Sequence, residues 1–256
     1  MAATYWFRNT GNSNWLLASN WSLSDGGGAD GAIPTAADTA MFSNLSGNCL
    51  VNSSATCLHL NFTGGTGYTG TFSFSSSTLT IASGGSITMS PTMTVNTSST
   101  GVTALTNCSL NFNGNYWDGV FRIGTGTITL QSNINLQKID TSAVAVTVTF
   151  SGNYDINVKN WVLGYLGQIW SISGRLYCNF LQSLSSTAAS KNTIKSSSAG
   201  VQRQIGIMSC DCQFVDFTDI DASLGNIVRT YKGTISNCKN IVLLTPPTQK
   251  GSITLN

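Results

Sequence analysis

The feature that most constrains this chain is a two-residue apolar rhythm that is interrupted, again and again, by a turn. Leu58, Leu60 and Phe62 alternate with His59 and Asn61 before Gly64-Gly65-Thr66-Gly67 stops the run. Phe72 and Phe74 alternate with Thr71 and Ser73, Leu79-Thr80-Ile81 follows, and Gly84-Gly85 turns the chain again. Ile87-Thr88-Met89, Met93-Thr94-Val95, Leu110-Asn111-Phe112, Ile123, Ile128-Thr129-Leu130, Ile134-Asn135-Leu136 and the run from Val144 to Phe150 continue the pattern. A period of two sends successive side chains to opposite faces of a strand. Short strands recurring every 8–12 residues or so suit a sandwich, a barrel or a solenoid.

Composition agrees. All ten acidic residues are Asp, and only 9% of the chain is charged, against about 25% in ordinary domains. The helix formers Glu, Lys and Arg give way to Ser, Thr, Asn and Gly, which favour strands, turns and side-chain-to-backbone hydrogen bonds. A hydrophobic content of 41% argues against a disordered chain. The alternate positions are overwhelmingly Thr, Ser and Asn, residues that stack into ladders between successive rungs, and the turns keep no single hairpin length. Both features predict an all-β fold, a right-handed parallel β-helix or solenoid, with a β-sandwich as the alternative because no strict repeat is visible. A rung of about 20–30 residues gives roughly four to six turns between 49 and 170.

Three textures divide the chain. Residues 1–48 are rich in Trp and Gly, with Trp6, Trp15 and Trp21 close together, and predict a small aromatic attachment module whose rings make a mini-core. Residues 49–247 predict the solenoid, its more charged final part serving as capping rungs, and 248–256 an extended tail. Within that final part, Ile172 to Leu184 reads as strand and loop despite a weakly helical spacing, and Ser185 to Gly200 as an exposed loop.

Several function classes are disfavoured. A net charge of +2 without a Lys/Arg cluster predicts no nucleic-acid partner. No run approaches the ~20 apolar residues of a membrane helix. Met1 to Trp6 has neither a basic nor an apolar leader region, which predicts synthesis in a cytoplasm. The seven Cys are odd in number and scattered, and Cys210-Asp211-Cys212 is tighter than a zinc pair, so they read as small buried hydrophobes. No metal or cofactor is predicted. The Gly-rich pieces lack the Lys-Ser/Thr of a phosphate loop.

The segment Tyr5-Trp6-Phe7, Gly11, Asn14-Trp15, Asn20-Trp21-Ser22, Gly26-Gly27-Gly28, Pro34-Thr35, Asp38 and Phe42 resembles an N-terminal module of phage-encoded tail and virion proteins and of some bacterial adhesins. Leu58 to Phe62 with Tyr68-Thr69-Gly70-Thr71-Phe72 is similar to the rungs that follow it there, and Val215 to Ser223 with Asn237 to Ile241 to the closing rungs. The resemblance covers about half of the chain and implies a β-helical, homotrimeric virion component that contacts other virion proteins and is assembled in the host cytoplasm. It would be a decoration, fibre or tail-associated adhesion protein without enzymatic activity, with a host surface glycan as a candidate ligand. A bacterial surface adhesin fragment is the alternative in the binding class.

Three sets of residues are candidates for chemistry. Trp6, Trp15, Trp21, Tyr116 and Trp117 could stack on a sugar or anchor a partner, although clustered rings more often form core. Asp216, Asp219 and Asp221, with Arg229 and Lys232 nearby, could make the carboxylate pair of a polysaccharide-degrading tailspike, Asp219 and Asp221 sharing a face if they lie on one strand. The competing reading is that Asp, a favoured turn residue, fills turns here. His59, the only His, points away from Leu58 and Leu60 toward a polar ladder, with no G-x-S-x-G nucleophile to serve.

Overall fold

In the computed structural model, which describes residues 2–8, 10–97, 101–141, 146–165, 167–183, 190–225, 228–231 and 235–244, the chain winds into a parallel β-solenoid of about eight turns. Each turn has three strand positions, which stack into three faces around one core. The first face contains Thr39–Ser43, Cys108–Asn111, Gly126–Leu130, Thr147–Ser151, Ile169–Ile172, Asn192–Ser196 and Val215–Thr218. The second begins with Cys49–Val51, Thr71–Phe74 and Thr94–Thr97. It continues through the first halves of Tyr116–Ile123, Ile134–Asp140, Ile156–Leu163 and Leu176–Ser183. The second halves of these strands, bent around a corner, belong to the third face together with Val102–Leu105. Ala18–Asn20 is a single 3₁₀ turn. Among the described residues, no helix is long and apolar enough to cross a membrane.

The rung length varies, which hides the repeat. Leu60 pairs with Ile87, 27 residues on, Leu110 with Leu130, 20 on, and Phe217 with Ile235, 18 on. The pairing nonetheless stays in phase with the two-residue rhythm, so like side chains stack. Inside, Ala40, Leu60, Ile87, Leu110 and Leu130 form one column, and Trp117, Leu136, Val158, Cys178 and Ile207 another. Outside, Thr39, His59, Ser86, Ser109, Thr129 and Ser151 form a polar column, in which His59 Nδ1 lies 3.0 Å from Ser86 Oγ. Leu60 points inward opposite His59, whereas Leu58 sits half-buried at the bend between faces.

Asn residues at the corners tie rung to rung. Asn107 Oδ1 accepts from the Thr127 amide at 2.9 Å, and Asn133 Oδ1 from the Asp155 amide at 2.9 Å. Asn113 and Asn115 donate to the carbonyls of Met89 and Ser90, each at 2.6 Å. Asn107 and Asn113 also have positive φ, 46° and 48°, a conformation Asn tolerates better than most side chains. Turning the chain and stapling it to its neighbour are thus one job for one residue type.

The N-terminal residues crown the stack rather than standing apart from it. Tyr5 pairs in parallel with Ala40, and residues 13–15 lie along Leu50, the Trp15 amide donating to the Leu50 carbonyl at 2.9 Å. Trp21–Ser22 runs antiparallel to Thr4–Phe7 at the outer edge, covering it. The rings form a continuous spine into the solenoid: Trp15 and Trp21 centroids are 4.8 Å apart, Phe42 and Phe62 4.9 Å, and Trp117 and Phe121 5.4 Å. Buried Asn20 holds this cap, donating to the carbonyls of Asn12 and Asn14 at 3.1 and 2.7 Å. Asp38 anchors it from below, accepting from the Ala3 amide at 2.8 Å and from the Thr35 amide and hydroxyl at 2.9 and 2.6 Å. Burial opposes ionisation of Asp38, but these hydrogen bonds outweigh it and hold the carboxyl below its ordinary range.

Asn192–Ser196 corrects the reading of Ser185 to Gly200 as an exposed loop: it is a rung strand with Ile194 buried. Its inward polar ends disguised it. Asn192 is satisfied by the Gln168 amide at 2.9 Å and by Ser183 Oγ at 3.2 Å. Residues 184–189 and the expected tail lie outside the described residues. All seven cysteines are free thiols, five of them buried; burial pushes Cys108 and Cys178 up to about 12.

Two outcomes follow from this packing. At Gly85 the chain passes beneath the Leu58 carbonyl so closely that an added Cβ would lie 1.8 Å from its oxygen, so Gly85→Ala lowers stability by about 3 kcal/mol or more in urea unfolding. Asp38→Ala lowers stability at neutral pH by roughly 2 kcal/mol, because the carboxylate's hydrogen bonds are lost. The folded-state pKa of Asp38 lies below its unfolded value, so its contribution is complete above the unfolded value and fades as pH falls through the folded one. The stability gap between wild type and variant accordingly closes in acid titrations below about pH 4.

Candidate functional site

Three of the five aromatic candidates are core. Trp15, Trp21 and Trp117 are fully buried, their faces covered by Phe7, Phe42, Phe72, Phe112 and Phe121, so none offers a ring to a ligand. Trp6 is half-buried on the capping strand and lies over Gly64, where a Cβ would come within 2.5 Å of its Cζ3. Tyr116 is different. It precedes Trp117 on the same strand, so alternation turns it outward onto the second face.

Register then builds a site around it. Tyr116 pairs with Asn135, Asn135 with Asn157, and Asn157 with Tyr177. Two tyrosines therefore bracket two asparagines, three rung spacings apart, or roughly 14 Å at about 4.8 Å per rung. Asn157 Nδ2 donates to Asn135 Oδ1 at 2.9 Å, and Asn135 Nδ2 to the Asn115 carbonyl at 3.3 Å. The Tyr116 hydroxyl donates to Gln137 Oε1. Lys159 Nζ stands 4.8 Å from the centre of the Tyr116 ring, and Asn179 closes the side of a groove of about 350 Å³. Beyond Tyr177 the column continues with Gly206, where a Cβ would lie 3.1 Å from Tyr177 Cδ1 and 3.0 Å from the Leu224 carbonyl oxygen. Tyr177, Lys159 and the asparagines escape sequence reading because only the pairing register places them beside Tyr116.

A second hollow, about 460 Å³, adjoins the groove at the corner between the first and second faces, lined by Asp155, Arg175, Arg203 and Asp221 among others. Arg175 holds Asp155 with two hydrogen bonds, at 2.8 and 2.7 Å, and its guanidinium lies 5.9 Å from the Tyr177 ring centre.

The three Asp residues of the enzyme reading do not converge. Asp216 points out from the first face toward Lys191, 3.4 Å away. Asp219 is a corner residue with φ 55°, not a strand residue, which is why it does not share a face with Asp221. Its carboxylate accepts from the Gly200 amide at 2.9 Å and from Asn237 Nδ2. Asp221, one face further on, accepts from the Ser223 amide at 3.0 Å within a turn. The side chain of Arg229 and the whole of Lys232 lie outside the described residues. Comparison of the chain with protein-family models, with curated proteins and with solved structures finds no significant match in any of the three.

These assignments separate by mutation. Asp219→Ala, which frees a corner amide and an asparagine, costs about 2 kcal/mol, whereas Asp216→Asn removes the charge of a partly exposed ion pair but keeps a polar side chain of the same size, and costs under about 1 kcal/mol. Thermal unfolding of the two variants distinguishes them.

Proposed function

We propose that this chain is a non-enzymatic structural component of a phage particle, a decoration, fibre or tail-associated adhesion protein that works as a homotrimer. The observation that carries the reading is where the polar side chains are engaged. Asn, Asp, Ser and Thr are committed to corners and ladders that hold one rung on the next, as a rigid rod requires, and the three Asp of the enzyme reading point to different places. A net charge of +2 lets identical rods pack side by side without strong mutual repulsion. The resemblance of the Trp/Gly-rich N-terminus and of the Gly-Tyr-Thr-Gly turn to virion proteins supports the particle assignment.

The experiment is to label gradient-purified particles of the encoding phage with an antibody against this chain and to weigh the purified chain by light scattering. Labelled particles and a mass three times that of the chain are expected. Antigen confined to the soluble lysate, or a monomer at micromolar concentration, overturns the reading.

A further inference from the structure

We propose that the groove between Tyr116 and Tyr177 on the second face binds an extended oligosaccharide carrying a carboxylate. The inference adds a ligand to the structural reading above and does not depend on the particle assignment.

Three kinds of group meet there. The tyrosines supply rigid rings with an apolar face and a polar tip, suited to packing against the C–H face of a sugar. The Asn157 amide supplies a donor beside an acceptor, the complement of neighbouring sugar hydroxyls. Asn157 uses one amide N–H on Asn135 and, among the described residues, keeps its carbonyl oxygen and second N–H for a ligand. Asn135, one rung away, spends its amide on the Gly114 and Asn115 carbonyls and its oxygen on Asn157, and so fixes the Asn157 amide between the two rings.

The charge follows from Lys159. Beside the groove Arg175 is neutralised by Asp155, and Lys159 is held against the Tyr116 ring with no carboxylate in ion-pair reach among the described residues. A cation presented over an aromatic floor, next to a hydroxyl-binding amide, selects a sugar acid. A peptide strand would need an open sheet edge, and the backbone of this face is paired from rung to rung. A nucleic acid would need several cations along its track.

The test is binding of the full chain to a printed panel of neutral, N-acetylated and uronate-bearing oligosaccharides, with the methyl esters of the uronates as uncharged controls. Uronate oligomers are expected to be retained, about tenfold more tightly than their esters. Tyr177→Ala and Asn157→Ala each weaken retention about tenfold while the chain still unfolds cooperatively well above the assay temperature, and Lys159→Met removes both the salt dependence and the preference over the ester. Retention of no uronate, equal retention of the esters, or binding that survives Tyr177→Ala overturns the proposal. Particle labelling reports location and the panel reports ligand, so either can fail alone.

Discussion

Everything in this molecule depends on the backbone hydrogen bonding of each rung to the next. That pairing sets identical strand positions about 4.8 Å apart and so turns any residue choice into a column. The low charge of the chain has its cause here. Two like charges stacked at that distance repel by roughly 1 kcal/mol even in water, and a column would add such penalties rung after rung. Two ion pairs among the described residues set opposite charges on neighbouring rungs, Arg175 over Asp155 and Lys191 beside Asp216. Hydroxyls and amides carry no such penalty.

The same constraint shapes the interior. Columns of Leu, Ile, Val and Phe run between rungs, and where size changes, aromatic rings fill the space, as with Trp161 against Trp170 at 4.9 Å. One set of buried polar groups satisfies itself across rungs. Thr141 Oγ1 donates to Gln168 Oε1 at 2.7 Å, Gln168 Nε2 returns a bond to the Thr141 carbonyl at 3.0 Å, and the Gln168 amide reaches Asn192 at 2.9 Å. This set bridges three successive turns at one corner. A shift of any of these rungs by one residue would strand buried donors, so the network resists slippage as well as filling space.

Much of the fold was legible in the sequence because a period of two survives any rung length. Leu60 to Phe62, Thr71 to Phe74 and Ile134 to Leu136 are strands with the inward faces their alternation implies, whereas Leu58 falls at a bend. Five of the seven cysteines are buried core thiols, in keeping with their scattered spacing. Asn192 to Ser196 was not legible, since one isoleucine among polar residues carries no rhythm and the buried Asn192 side chain is satisfied by residues 9 and 24 positions away. Asp219 and Asp221 misled for a related reason: alternation within a sequence predicts a shared face only while the strand continues, and the chain turns a corner between them. The Trp-rich opening was recognisable as a cluster of large rings, but its place as the crown of the stack rests on pairing with Ala40 and Leu50.

By itself, then, the sequence determined strand content, the inward or outward sense of most side chains and the polar, nearly uncharged character of the surface. Those properties follow from local geometry and from residue chemistry. Tertiary structure decided which outward residues are neighbours. Tyr116 meets Asn135, Asn157 and Tyr177 only because rungs of differing length pair in one register, and no local rule specifies that register. It is set by the corner asparagines, the buried Gln168 network and the fit of the core columns, each of which joins residues some twenty positions apart.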